Sequence, residues 1–261
     1  MIPAERQRTI LSLLSHQQVI SITELVEQLN VSHMTIRRDI MKLESSGKVI
    51  SVSGGVQLTQ SLHSELSHDA KAEQHANEKA LIGNIAAALI PHQATVYLDA
   101  GTTSLEVAHQ IASREDILVI TNDFAVTNYL ISFGKCEIYH TGGKVDRENH
   151  SSIGVKVAEF LSGMNIDIAF VSTSSWNLKG LSTPSEDKVS VKQAITRSAQ
   201  ASYLISDSSK YGRVASFHAL DLGRLDGVIT DAHLPDWVEQ EIIDKGLRIY
   251  TSLPEFQKSP V

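Results

Sequence analysis

"VSHMTIRRDIMKLESSGKV", residues 31–49, carries four basic side chains, Arg37, Arg38, Lys42 and Lys48, in a chain whose formal net charge is −7. The spacing predicts a helix with Ser32 as its N-cap, because Ile36, Ile40 and Leu43 share one narrow face while Met34, Arg38, Met41 and Ser45 stand opposite. Gly47 ends it. Upstream, Pro3 suits a first helical position, and Ile10, Leu11, Leu13 and Leu14 form the apolar face of a helix ending near His16. The extended piece "QVIS" follows. Ser21 or Thr23 then caps a second helix with Leu25 and Leu29 in i,i+4 register, and Asn30 suits the turn after it. Downstream, "KVISVSGGV" reads as two short strands joined by a tight turn. Helix, helix, three-residue turn, helix, hairpin is the order of a winged helix-turn-helix. Such a domain lays its second motif helix in the major groove of double-stranded DNA, with basic residues neutralising phosphates. The candidate contacts are Ser32, His33, Met34, Thr35, Arg37, Arg38, Lys42 and Lys48. The competing reading is a solvated amphipathic helix whose cations pair with Asp39 and Glu44; element order, turn length, cap and hairpin outweigh it.

The charge is local. Residues 1–58 hold six basic and five acidic side chains, so the net negative charge lies in the remainder, and any nucleic-acid contact belongs at the N-terminus. At 261 residues, one small and one larger domain are expected. Cys136 is the single cysteine, in the apolar run "KCEIYH"; it reads as a small core residue and fits a reducing cytoplasm. "MIPAERQRTI" lacks a signal-peptide apolar region, and no stretch reaches the roughly 20 apolar residues that span a bilayer, so a cytoplasmic protein without membrane contact is expected. His63, His68 and His75 have neither i,i+4 spacing nor nearby cysteine and read as solvated linker positions, so no metal is expected.

Residues 57–77, "QLTQSLHSELSHDAKAEQHAN", are polar and lack strand periodicity. The domain division read here is 1–57, a linker over 58–76, and 77–261. After the helix "EKALIGNIAAALI", the strands "ATVYL", "ILVIT", "EIYHT", "DIAFVS", "SYLIS", "GVIT" and "LRIYT" alternate with helical pieces, which predicts an α/β, Rossmann-like domain with a mostly parallel sheet. Ligands of such sheets bind beyond the carboxyl ends of the strands. Those ends carry Asp99, Gly101, Thr102 and Thr103; Asn122; Gly142 and Gly143; Ser174; and Asp207 and Lys210. Each alone is explained as a turn, cap or surface residue. Together they favour a pocket for a small anionic, hydroxyl-rich ligand. With neither a Walker A sequence nor G-x-G-x-x-G, no nucleotide cofactor is expected.

Thr35, Ile36, Arg37, Arg38, Asp39, Ile40, Leu43, Gly47, Gly54 and Gly55 together resemble the N-terminal signature of the DeoR family of bacterial repressors of sugar metabolism. "DAGTT", "VITND", "TGG", "GLSTPSEDKVSVKQAITRSA" and "SDSSKYGR" extend the resemblance to that family's sensor domain, whose fold is similar to ribose-5-phosphate isomerase. The resemblance implies a phosphorylated sugar or sugar-acid effector, phosphate held by Gly101, Thr102 and Thr103, and Asp207, Lys210 and Lys192 meeting its other groups. It departs in two places. Ser51 and Ser53 stand where relatives usually carry Arg and His in the wing, and Ser172, Thr173, Ser174 and Ser175, followed by Trp176, stand where relatives carry Gly-Ala-Asp-Gly.

Two functions follow. One is a repressor acting as a homodimer or homotetramer, its operator affinity controlled by the phosphorylated metabolite. The other is a sugar-phosphate isomerase with an attached DNA-binding module. Isomerisation needs a carboxylate base, and Ser174 occupies the usual Asp position, which favours binding without turnover.

Overall fold

The structure, a computed structural model, describes residues 1–17, 19–52 and 55–253. Three helices, α1 (Pro3–His16), α2 (Ile22–Leu29) and α3 (His33–Ser45), precede β1 (Val49–Val52) and β2 (Gly55–Leu58), which pair antiparallel. Side-chain caps set the helix starts: Ser21 accepts the Glu24 N–H at 3.0 Å and Ser32 the Thr35 N–H at 3.3 Å. Between them Asn30, at φ 49°, makes the left-handed turn. Ile10, Leu25, Ile36, Val49 and Val56 close the core, all fully buried. Ser53 and Gly54, at the expected wing tip, lie outside the described residues.

The two acids of α3 do not pair with its own cations. Asp39 faces inward, accepting from the buried Arg6 guanidinium and from Gln7 Nε2 at 3.0 Å, and so clamps α1 to α3. Glu44 also turns inward, accepting from the Ser51 N–H and hydroxyl, each at 3.3 Å, and from the Tyr211 hydroxyl at 3.1 Å. Ser51 is therefore buried within β1 and turned toward Glu44.

Residues 58–76 pack as structure, not as a free spacer. β3 (Gln60–Leu62) pairs parallel with a strand far downstream, and α4 (His68–Ala72) is fixed by the His68 N–H donating to the Glu148 carbonyl at 2.8 Å. His63 and His75 are exposed, but His68 is buried against His150, ring centroids 5.0 Å apart, which corrects its reading as solvated. Ligand atoms of His68, Asp69 and His150 lie within 4.8 Å of one another, a grouping invisible in the sequence spacing.

The larger part runs α5 (Ala76–Ala88), β4 (Thr95–Leu98), α6 (Thr102–Ile111), β5 (Leu118–Thr121), α7 (Phe124–Phe133), β6 (Glu137–His140), then the hairpin β7 (Lys144–Asp146) and β8 (Ser151–Ile153). Next come α8 (Val155–Ser162), β9 (Ile166–Ser172), β10 (Ser175–Asn177), β11 (Gly180–Thr183), α9 (Glu186–Ser198) and β12 (Ala199–Ile205). β13 (Arg213–Ala215), β14 (Phe217–Asp221), β15 (Gly227–Ile229), α10 (Asp236–Asp244) and β16 (Arg248–Tyr250) complete it. Seven strands form one sheet in the order β16-β15-β12-β9-β4-β5-β6, every pairing parallel. These are the seven apolar runs read from the sequence. Both faces are covered: Tyr97, Ile120, Ala169, Leu204 and Val228 enter one apolar layer, and Val96, Leu98, Val119, Phe170 and Ile229 the other. Cys136 joins the second layer as a small buried residue, burial pushing its thiol up. Strand order reverses between β4 and β9, the position at which open α/β sheets place ligands. Among the described residues no helix is long and apolar enough to cross a membrane.

Candidate functional site

A cavity of about 40 Å³ lies where β4 and β9 end. One wall is the start of α6. Gly101, at φ 156°, leaves little room for a side chain: a Cβ would stand 3.1 Å from Ser172 Oγ. Its N–H donates to Asp123 Oδ2 at 2.8 Å. Asp123 in turn caps α7 through the Val126 N–H at 2.9 Å, and burial raises its carboxyl to about 6 against those hydrogen bonds. The first-turn N–H groups of an α-helix lack intrahelical acceptors, and in α6 these belong to Thr102, Thr103 and Ser104. All three side chains are buried, and Thr102 and Thr103 line the cavity; among the described residues the Ser104 hydroxyl behind them has no partner. That end of the cavity offers donors to an anion.

The opposite walls are cationic. Lys71, Lys188, Lys192 and Lys210 line the cavity with only Glu65 and Asp99 as acids. Asp99 is committed to the scaffold: one oxygen takes the Ala100 N–H at 2.9 Å, the other the Ser172 N–H at 3.1 Å and Lys192 Nζ at 2.8 Å. Asn122 is likewise engaged, accepting from Tyr97 at 2.8 Å and donating to the Ser152 carbonyl at 2.9 Å. Ser174, in the place where the family pattern has an acid, donates to Glu65 at 3.0 Å.

Three expected ligand contacts stand elsewhere. Gly142 and Gly143 are exposed in the turn from β6 to β7 and do not line the cavity; the returning strand of the hairpin, β8, does so in their place through Ser151 and Ile153. Asp207 sits behind Lys210, 3.0 Å from its Nζ, and lines an adjoining cavity. Burial pushes the Asp207 carboxyl up, and Lys210 overcomes this to hold it below the usual range. The structure also adds residues that reading strand exits missed: Glu65 and Lys71 from the stretch read as linker, Asn149 and Ser151 from the β8 side, and Lys188 from α9. Lys188 does fall within the quoted family stretch, but no local pattern singles it out.

On α3 the outward face carries Ser32, His33, Met34, Arg37, Arg38, Met41 and Lys42, all exposed, with Thr35 half-buried and Lys48 exposed just beyond. Among the described residues none of its three cations forms an ion pair. Helix-turn-helix and cavity are joined by the segment after Lys210. Tyr211 packs edge-on against the buried Trp176, ring centroids 5.0 Å apart, and reaches Glu44 on α3. Gly212 lies so close to β1 that a Cβ would fall 2.1 Å from Ile50 Cγ2.

Residues 6–62 match a DeoR-like helix-turn-helix domain and residues 74–232 a DeoR C-terminal sensor domain. The chain belongs to the DeoR family. It is 54% identical over 96% of its length to an HTH-type transcriptional regulator of Haemophilus influenzae, covering 98% of that protein. It is 44% identical over 98% of its length to the regulator YgbI of Escherichia coli, covering all of it, and 31% identical over 94% to the glycerol-3-phosphate regulon repressor of that organism, covering 97%. As a DeoR protein the chain is a DNA-binding transcriptional regulator with a small-molecule sensor domain, and the isomerase alternative falls away. The DeoR motif also gains a physical reading: its Asp39 is the clamp on Arg6, while the two arginines before it are left free on the surface.

Proposed function

We propose that the protein is a cytoplasmic repressor of a carbohydrate or sugar-acid catabolic operon, with operator affinity controlled by a phosphorylated sugar or sugar acid. The observation that carries this is the cavity whose one end is the donor-rich first turn of α6 and whose walls hold four lysines. Phosphate suits the α6 end, where Thr102, Thr103 and the Gly101 turn supply N–H and hydroxyl groups. The 31% identical Escherichia coli relative, named for the glycerol-3-phosphate regulon, supports a phosphorylated metabolite. Ser32, His33, Met34 and Thr35 meet base edges, and Arg37, Arg38, Lys42 and Lys48 meet operator bases and phosphates. Residues 1–57 are the DNA-binding part and 77–261 the sensing part; 58–76 couples them.

A homodimer or homotetramer fits a palindromic operator, which needs two copies at fixed spacing. Exposed Ile131 and Phe133 on α7, with Tyr139 on the sheet-edge strand β6, support a self-association face there. The test is a thermal-shift screen of phosphorylated sugars and sugar acids beside their dephosphorylated forms, followed by operator binding with each hit. A phosphorylated compound is expected to raise the melting temperature and change operator affinity, its unphosphorylated form doing neither. Equal shifts from both forms refute the phosphate reading.

A further inference from the structure

The cavity is too small for the ligand just proposed. Its volume of about 40 Å³ holds a few waters, since one needs roughly 10–15 Å³, whereas ligand pockets run to several hundred. Glu65 is held at its wall by three donors. Its side chain enters from the segment between β3 and α4, with Oε1 accepting from Ser174 Oγ at 3.0 Å and Oε2 from Lys188 Nζ at 3.0 Å and Lys71 Nζ at 3.1 Å. Lys188 otherwise reaches only Asp146, at 3.4 Å, among the described residues. A second cavity of about 40 Å³, lined by His75, Lys79, Asp207 and Ser209, lies on the far side. Glu65, Lys71, Ser174 and Lys210 line both cavities and so form the partition between them. Within the first cavity, Glu65 and Lys71 are the two lining residues from the 58–76 segment; the others come from the larger part.

We propose that Glu65 is an internal stand-in for the effector's second acidic group: a ligand bearing phosphate at one end and carboxylate at the other displaces it from Lys188, Lys71 and Ser174, opens the partition and frees the 58–76 segment. The proposal rests on the phosphate reading of the cavity and narrows the effector to doubly anionic compounds, phosphorylated sugar acids ahead of phosphorylated sugars. Exchange of one carboxylate for another keeps the lysines neutralised, so the buried charges are never left unpaired. A ligand shifts an equilibrium only by binding its two states differently, and here the difference is steric as well as electrostatic, because Glu65 and the ligand carboxylate need the same donors. The release has a short route to DNA. β3, three residues before Glu65, pairs with β13 in the register Gln60↔Arg213 to Leu62↔Ala215, and β13 begins two residues after Tyr211, which holds Glu44 on α3.

The experiment uses the full chain, wild type and Glu65→Gln, with inorganic phosphate, glycerol 3-phosphate and 3-phosphoglycerate as probes. The last two differ only in hydroxymethyl against carboxylate. Calorimetry reads affinity, and hydrogen exchange of amides 62–72 reads the segment. Glu65→Gln is expected to bind 3-phosphoglycerate at least about tenfold more tightly than wild type, because the closed state no longer taxes binding, with a smaller gain for glycerol 3-phosphate. Even without a probe, the variant is expected to exchange amides 62–72 faster than wild type. Ser174→Ala, which keeps every charge but takes a donor from Glu65 and ligand alike, is expected to speed the ligand-free exchange by less than Glu65→Gln does. Equal or weaker binding of 3-phosphoglycerate by the Gln variant overturns the proposal, making Glu65 a direct ligand contact or a bystander. If no probe binds either protein, the phosphate reading fails; the ligand-free exchange then decides the Glu65 contact separately, and unchanged exchange overturns it.

Discussion

Glu44 gives the sharpest test of how the helix-turn-helix is held to the sensor. Burial raises its carboxyl from the usual 4.5 to about 7, against the hydrogen bonds from Ser51 and Tyr211 that favour the charged form. Below pH 4.5 the folded and unfolded chains both carry this proton. Between pH 4.5 and 7 the folded chain keeps a proton that the unfolded chain releases, so stability falls as pH rises through that window. Above pH 7 the loss is complete and amounts to about 3 kcal/mol, because each pH unit of the window contributes about 1.4 kcal/mol. Glu44→Gln keeps an acceptor for the Tyr211 hydroxyl and the Ser51 N–H but cannot ionise. The variant is therefore expected to match wild type near pH 4.5 and to exceed it at pH 8 by up to about 3 kcal/mol. Urea denaturation at both pH values measures this, with the fluorescence of Trp176, packed on Tyr211, as the probe. If stability changes between the two pH values by the same amount in variant and wild type, the buried-carboxylate reasoning is refuted.

Other perturbations separate the parts. Arg37→Ala or Arg38→Ala is expected to cost roughly 1–3 kcal/mol of specific operator binding and to leave effector binding unchanged, as titration with a selected operator fragment at several salt concentrations will measure. Asp39→Ala leaves the Arg6 guanidinium buried without its partner and is expected to destabilise the N-terminal unit by roughly 3–5 kcal/mol, read by denaturation. Gly212→Ala forces a Cβ to within 2.1 Å of Ile50 Cγ2 at a residue with φ 77°. It is expected to disturb the seam between sensor and β1, changing operator affinity while effector calorimetry is unaltered; loss of effector binding as well would show that the seam and the cavity are one unit.

What the sequence carries plainly is what neighbours in the chain decide. Ser21, Asn30 and Ser32 act within three residues of themselves, so the helix-turn-helix is readable from its caps and turn. The central parallel strands are readable because burial on both faces demands unbroken apolar runs, and the more exposed edge strands β6 and β16 because they continue the same alternation with helices. Thr102 and Thr103 are found because a ligand site at the carboxyl end of a parallel strand is a consequence of topology, and topology follows from those runs. Gly142 and Gly143 mislead for the same reason in reverse: the rule marks every strand exit, and here a hairpin of three-residue strands, too short to show a period, intervenes and brings its second strand to the cavity instead.

Glu65 and Asp39 mark where such reading stops. Asp39 is buried and Glu65 partly buried, both paired with cations, and nothing in their local sequence distinguishes them from a solvated Glu or Asp. Asp39 could be suspected, since it recurs in a named motif and falls among helix positions that face the core. Glu65 falls in a polar stretch with no period, and its partner Lys188 is 123 residues away. Burial pushes the Glu65 carboxyl up, yet Lys188 and Lys71 hold it at about 2, a result fixed wholly by tertiary packing. A polar segment thus reads as a spacer when its side chains have no partners in sequence, and becomes a working part of the site once the fold supplies lysines to receive them.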